Sequence, residues 1–174
     1  MPRPVRSLRS PRAIAGVAAA VVLAALAAVL GAYTARGTAS ATALEGLVVR
    51  VVDGDTIHVR IGDRTEKVRY IGVNTPETHH PRRGVEAGGR EAHEVNRQLV
   101  TGKRVRLELD VQERDRYGRL LAYVWVGDVM VNAELVRLGY AQVMTVPPNV
   151  RYQSLFLARE RDARQSGRGL WRGA

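Results

Sequence analysis

The chain has 174 residues and a net charge of +10, with 45% hydrophobic and 25% charged residues. This length allows one ordinary domain with an accessory segment but not two full cores, and the apolar fraction excludes wholesale disorder. The lack of cysteine excludes a disulfide framework, a thiolate metal site and a cysteine nucleophile. The basic excess indicates a polyanionic partner, either nucleic acid or an anionic membrane surface.

The N-terminal region up to Arg36, with five arginines and no acidic residue, accounts for half of the net charge. Residues 1–12 contain four arginines, and an uncharged run rich in Ala, Val and Leu follows at residues 13–35. The run is long enough to span a membrane, and its basic flank predicts that residues 1–12 are cytoplasmic and the rest of the chain is outside. Small-x-small sites at 39–41 and 41–43 equally permit signal-peptide cleavage. The sequence therefore predicts either a single-pass membrane protein with an external domain or a secreted protein.

A domain at residues 45–172 follows a small-residue linker at 36–44. Alternating apolar residues and Gly-containing turns predict strands, and helical spacing of apolar residues predicts helices. Asn132 is the predicted N-cap of a short helix that Gly139 closes. The predicted strands lie at 47–52, 56–61, 67–73, 104–109 and 120–126, and the helices at 91–100, 132–138 and about 150–165. This order predicts a five-stranded barrel with helices packed around it.

Two charged residues interrupt the predicted apolar faces. Asp55 has the same parity as the inward residues of its strand, and Arg69 shares the parity of Ile71 and Val73. Inward charges are costly unless they are paired or bind a metal. We therefore expect Asp55 and Arg69 to belong to a site, the alternatives being that Asp55 ends a turn and that Arg69 bends outward.

The segment after Arg69 carries oxygen ligands. Asn74, Thr75 and Glu77 offer an amide, a backbone carbonyl and a carboxylate close to the expected place of Asp55. Such all-oxygen donors suit Ca²⁺. A turn at residues 115–119 ends in a second arginine, and a cation with two arginines around one pocket would stabilise the transition state of phosphodiester hydrolysis.

These motifs resemble the staphylococcal nuclease (thermonuclease) family in order and approximate spacing. The resemblance covers nearly all of residues 47–171, and it implies an OB-fold, Ca²⁺-dependent phosphodiesterase that cuts DNA and RNA and leaves 3′-phosphates. The motifs are Val52-Asp53-Gly54-Asp55-Thr56, Arg69, Thr75-Pro76-Glu77-Thr78, His80-Pro81-Arg82-Arg83-Gly84-Val85-Glu86, Tyr117-Gly118-Arg119 and Met130-Val131-Asn132.

The resemblance also implies roles for individual residues. Asp55, Asn74 and the carbonyl of Thr75 would hold Ca²⁺. Asp53 would lie near the metal without binding it directly. Glu77 would be the catalytic carboxylate, as a general base or as a group that orients water. Arg69 and Arg119 would hold the scissile phosphate. Substrate would also be bound by Arg82, Arg83 and Tyr117.

Two departures from the family pattern matter for function. The second acidic metal ligand of the family is Asn74 here, which predicts weaker Ca²⁺ binding because affinity falls with ligand charge. The two tyrosines of the nucleotide-contacting stretch are absent from residues 145–147, which predicts weaker base stacking.

The sequence thus predicts a monomeric, extracytoplasmic, Ca²⁺-dependent nuclease of low sequence specificity that prefers single strands. Two alternatives remain at this point. One is a membrane-tethered OB-fold that binds nucleic acid without cutting it, and the other is a membrane-bound scaffold that recruits proteins.

Overall fold

The computed structural model describes residues 43–78, 84 and 86–173. The predicted hydrophobic segment at 13–35 and the loop residues Arg82 and Arg83 lie outside this set. Within it, no helix has the length and apolarity needed to cross a membrane.

The elements are β1 (Ala43–Asp53), β2 (Thr56–Ile61), β3 (Arg64–Tyr70), β4 (Val73–Asn74), α1 (Gly89–Val100), β5 (Arg104–Glu108), β6 (Leu120–Val126), β7 (Val129–Met130), α2 (Val131–Arg137), β8 (Gln142–Val143), α3 (Gln153–Gln165) and a 3₁₀ turn (Gly169–Trp171).

Five strands close into a barrel in the order β3-β2-β1-β5-β6. Neighbours in this order are antiparallel, and a parallel pairing of β3 with β6 closes the barrel through Val68 opposite Leu120. Strand β7 continues the sheet beyond β6, and β4 and β8 form a separate short pair. The predicted five-stranded barrel with surrounding helices is confirmed.

The barrel interior is filled by the apolar residues that alternate along the strands. Ile57 and Val59 of β2, Val68 of β3 and Leu107 of β5 are fully buried, as the period-2 pattern requires. Phe156 of α3 joins the same core. The helices therefore pack on the barrel through apolar side chains, and the polar residues described below are exceptions to this packing.

The third strand differs from its prediction at 67–73. It runs from Arg64 to Tyr70 and stops because Gly72 adopts a left-handed conformation with φ of +78°. A side chain at Gly72 would also collide with the ring of Phe156. Alternation does not continue through this turn, so the expectation that Arg69 shares the inward face of Ile71 and Val73 is wrong: Val68 and Tyr70 face the core, and Arg69 lies on the opposite face.

Asn132 is not the N-cap of α2. The helix begins at Val131, and Asn132 lies inside its first turn with a fully buried side chain. Its amide accepts the N–H of Val124 at 2.9 Å and donates to the carbonyl of Ile71 at 2.9 Å. Asn132 therefore joins α2 to β6 and to the turn after β3, a long-range role that capping statistics do not reveal. The predicted closure by Gly139, with φ of +79°, is confirmed.

Candidate active site

One pocket of about 320 Å³ collects four of the predicted site residues. Arg69, Glu77 and Arg119 all line it, together with Asn74. They come from the end of β3, the segment after β4 and the loop before β6. Asp55 is not a lining residue, but its Oδ2 lies 3.1 Å from Nη2 of Arg69. The structure thus places five predicted residues at one location.

The guanidinium of Arg69 is held by its own chain segment. Nη1 donates to the carbonyls of Tyr70 and Val73, both at 2.9 Å, and Nη2 donates to Oδ1 of Asn74 at 2.9 Å. These contacts leave Arg69 only 8% exposed although it points away from the barrel core. Its orientation is therefore fixed before any substrate arrives.

The carboxylate of Asp55 is buried, and both of its oxygens accept hydrogen bonds. Its Oδ2 accepts the N–H of Thr75 at 2.8 Å and the Thr75 hydroxyl at 3.1 Å, and Oδ1 accepts the hydroxyl of Thr56 at 3.1 Å. Burial raises the pKa of Asp55 above its ordinary value; Arg69 opposes this rise and the nearby Asp53 carboxylate adds to it. Asp55 and Arg69, the two charges that interrupt the apolar pattern, contact each other, which the sequence did not predict.

The turn between β1 and β2 brings Asp55 against Thr75. A Cβ atom on Gly54 would lie 2.6 Å from Oγ1 of Thr75, so only glycine permits this approach. The side chain of Asp53 accepts the N–H of Asp55 at 3.1 Å. From α1, the buried Asn96 donates to the carbonyl of Asp53 at 2.9 Å. Backbone and side chain together set the position of the Asp55 carboxylate.

The oxygen donors around Asp55 fit a hard divalent cation. Oδ2 of Asp55 and Oδ1 of Asn74 both contact the same nitrogen, Nη2 of Arg69, so the two oxygens already converge on a positive charge. Asp53 adds a second carboxylate nearby, and the donor set contains oxygen alone, as Ca²⁺ prefers. Over residues 43–78, 84 and 86–173, no group of three His, Asp or Glu side chains gathers in a metal-binding arrangement.

Arg119 is aimed by the turn that carries it. Asp115 accepts Nε of Arg119 at 2.6 Å and, through its other oxygen, the backbone N–H groups of Tyr117 and Arg119. Burial opposes ionisation of Asp115, but these bonds outweigh it and lower its pKa. Both terminal nitrogens of Arg119 remain without a hydrogen-bond partner among the described residues, so they are available to a phosphate.

Tyr117 lies beside Arg119 rather than on the pocket wall. Its side chain is 67% exposed, and the guanidinium of Arg119 is 5.5 Å from its ring centroid. Arg116 stacks on the same ring at 4.8 Å. Tyr117 is therefore an exposed ring at the edge of the site, and its contact with substrate remains a prediction.

Glu77 lines the pocket, and its backbone is anchored. Its N–H donates to Oε2 of Glu86 at 3.1 Å, and its carbonyl accepts the N–H of Glu86 at 2.9 Å. A Cβ atom on Gly89, the first residue of α1, would lie 2.7 Å from the Glu77 carbonyl oxygen. The start of α1 therefore supports the segment that carries Glu77.

Sequence reasoning missed two supporting residues of this site. In the sequence Asp115 only starts a turn, although an acid four residues before an arginine in a Gly-containing turn is a signal for this contact. Asn96 had no signal, because a polar residue between the apolar positions of a helix normally faces solvent.

The barrel and the arginine-lined pocket define a class, that of small-barrel enzymes that act on phosphodiesters. The sequence profile described as "Staphylococcal nuclease homologue" matches residues 67–173. The chain belongs to the staphylococcal nuclease family, and it is a nuclease, a hydrolase of nucleic acid.

Three relatives show how far the similarity extends. The thermonuclease of Staphylococcus hyicus is 39% identical over 141 residues, which cover 81% of this chain and 83% of the relative. That of Staphylococcus intermedius is 42% identical over 125 residues, 72% of this chain and 74% of the relative. Endonuclease YncB of Bacillus subtilis is 40% identical over 124 residues, 70% of this chain and 59% of the relative.

Proposed function

We propose that the protein is an extracytoplasmic, Ca²⁺-dependent nuclease that hydrolyses DNA and RNA with low sequence specificity and leaves 3′-phosphate ends. The observation that carries the proposal is the convergence of Arg69, Glu77 and Arg119 on one pocket, with Asp55 in contact with Arg69. Two cations and a carboxylate are the groups that in-line attack of water on a phosphodiester requires.

Each residue has a distinct part in the proposed reaction. Glu77 orients or deprotonates the water whose oxygen forms the new bond to phosphorus. Arg69 and Arg119 donate hydrogen bonds to the nonbridging oxygens as negative charge grows on them. The bond from phosphorus to the 5′-oxygen breaks, and this oxygen takes a proton from water. When bound by Asp55, Asn74 and the Thr75 carbonyl, Ca²⁺ supplies positive charge beside the phosphate.

A cleavage assay with matched variants tests this proposal. The full chain is incubated with heat-denatured DNA in Ca²⁺ or in chelator, and Glu77→Gln is compared with Glu45→Gln, an exposed carboxylate of β1. We expect cleavage only with Ca²⁺, a loss of about 10²–10⁴-fold in Glu77→Gln and none in Glu45→Gln. Cleavage in chelator, or equal rates in the two variants, would contradict it.

The extracytoplasmic location is supported by the basic residues 1–12 and the apolar run at 13–35. Protease added to intact cells should reach the domain if it is anchored outside, and mass spectrometry of the mature N-terminus would distinguish an anchor from a cleaved signal. A protected, uncleaved chain in intact cells would contradict the proposed location.

A further inference from the structure

A row of basic residues crosses the outer face of the barrel next to Arg69. Arg50 of β1 lies opposite His58 of β2, and His58 lies opposite Lys67 of β3. We name these three residues the basic row. Lys67 and Arg69 are two residues apart on β3 and share a face, so the backbone of Lys67 is about 7 Å from that of Arg69.

The basic row is not neutralised by the protein. Within the described part of the chain, Arg50 and Lys67 form no ion pair, and both are exposed. Burial, Arg50 and Lys67 each lower the pKa of His58, the effect expected of neighbouring cations without an intervening carboxylate. An external anion at this surface therefore meets exposed positive charge that no ion pair within the described part of the chain neutralises.

We propose that the basic row binds the phosphates that flank the scissile phosphate of a nucleic-acid strand. The proposal rests on the nuclease activity of the family and adds a binding surface outside the pocket. Arg69, Lys67 and His58 follow one another on one face of adjacent strands, so the positive surface is continuous with Arg69. A strand whose phosphate is held at Arg69 can pass over this face, and Arg60, two residues beyond His58, extends the positive surface further.

Binding measured in chelator, without cleavage, tests the row separately from Ca²⁺ dependence. The full chain and the double variant R50Q/K67Q are titrated with a labelled twelve-nucleotide single strand over a range of salt concentrations. Each phosphate contact contributes about 0.7 to the slope of log affinity against log salt for single strands. We expect the double variant to lose about 1.4 from this slope.

The matched control is R159Q/R161Q, which removes the same charge from exposed positions of α3. We expect the change in slope of this control to be less than half of that in R50Q/K67Q, because α3 does not belong to the face that carries Arg69. An unchanged slope in R50Q/K67Q, or equal losses in both double variants, would overturn the proposal. Absence of cleavage with Ca²⁺ would contradict the proposed function instead, and the slopes would still report on the row.

An anionic membrane is the other surface that such a row would attract. Co-sedimentation with vesicles of phosphatidylglycerol and phosphatidylcholine separates the two occupants. We expect R50Q/K67Q and R159Q/R161Q to bind vesicles equally. A specific loss of vesicle binding in R50Q/K67Q, with the oligonucleotide slope unchanged, would assign the row to lipid and overturn the proposal.

Discussion

At the scale of single residues, Arg69 is committed to the protein itself. Its terminal nitrogens donate hydrogen bonds to two backbone carbonyls and to the amide oxygen of Asn74, and Nη2 also forms an ion pair with Asp55. A phosphate that binds Arg69 therefore competes with these contacts. Asn74 and Asp55 both contact Nη2 of Arg69. The residue at position 74 therefore affects both the proposed Ca²⁺ binding and the position of the Arg69 guanidinium.

We predict that Asn74→Asp tightens Ca²⁺ binding by roughly tenfold, which corresponds to about 1.4 kcal/mol. The added charge lies beside the oxygens of Asp55, and affinity for Ca²⁺ rises with ligand charge. Isothermal titration of the full chain with Ca²⁺ measures the change. Gln153→Glu, which places the same charge on the exposed start of α3, serves as the control. An unchanged dissociation constant in Asn74→Asp would remove Asn74 from the proposed metal site.

The residues of the site were easier to predict than the residues that hold them in place. Asp55 and Arg69 were found because they interrupt apolar stretches, and Glu77 and Arg119 because motifs around them matched the family. Asp115 and Asn96 act through contacts whose geometry appears only in the fold. Short local patterns report chemistry well, whereas a hydrogen bond over 43 residues, as between Asn96 and Asp53, leaves no local trace.

At the scale of elements, the turn between β1 and β2 depends on one glycine. We predict that Gly54→Ala weakens Ca²⁺ binding and cleavage, because a Cβ atom there would push Thr75 away from Asp55. The core beneath the turn is unaffected, so thermal unfolding should shift less than activity does. Gly62→Ala, with nothing within 4 Å of its new Cβ, controls for strain in the neighbouring turn. Equal Ca²⁺ affinity in Gly54→Ala and the unaltered chain would contradict this account.

Helix α1 is joined to the site through Asn96. Its amide accepts the hydroxyl of Tyr70 at 2.9 Å and donates to the carbonyl of Asp53. We predict that Asn96→Ala destabilises the protein by about 1–3 kcal/mol for each buried group left without a partner. Urea unfolding measures this loss. Gln98→Ala, an exposed position of the same helix, should cost less than 1 kcal/mol, and equal losses in both variants would show that the buried contacts contribute nothing.

The strands illustrate where periodicity fails as a predictor. Strand β2 was predicted with its observed bounds because its apolar residues Ile57, Val59 and Ile61 alternate strictly with polar ones. The end of β3 was misplaced because Ile71 and Val73 continue an apolar pattern across a turn. That turn depends on the close approach of Gly72 to Phe156, which lies 84 positions later in the sequence and cannot be inferred from local composition.

At the scale of the whole molecule, Glu108 joins the barrel to the start of α3. It is 7% exposed, and its carboxylate accepts hydrogen bonds from Arg151 at 2.7 Å, Tyr152 at 2.9 Å and Trp125 at 3.1 Å. Burial alone would raise its pKa, but the bonds from Arg151 and Tyr152 outweigh burial and lower it. Glu108 therefore stabilises the fold in its charged form.

The lowered pKa sets the sign of a pH dependence. The contribution of Glu108 is fully present above its ordinary pKa of 4.5 and is lost as the pH falls through the lower value of the folded state. We predict that the unfolding free energy decreases below pH 4.5 and that Glu108→Gln shows a smaller decrease. Urea unfolding across this range, with Glu45→Gln as control, tests it. Parallel curves for Glu108→Gln and the unaltered chain would contradict the assignment.

The barrel as a whole was predictable, because strand order and composition leave few arrangements for about 125 residues. What the barrel accomplishes depends on whether the pocket holds a phosphate. The most direct measurement is a crystal structure of the Glu77→Gln variant with Ca²⁺ and a short single-stranded oligonucleotide. We expect a phosphate within hydrogen-bond distance of Arg69 and Arg119, with Ca²⁺ on Asp55. A phosphate bound elsewhere, with Arg119 turned away from it, would contradict the account.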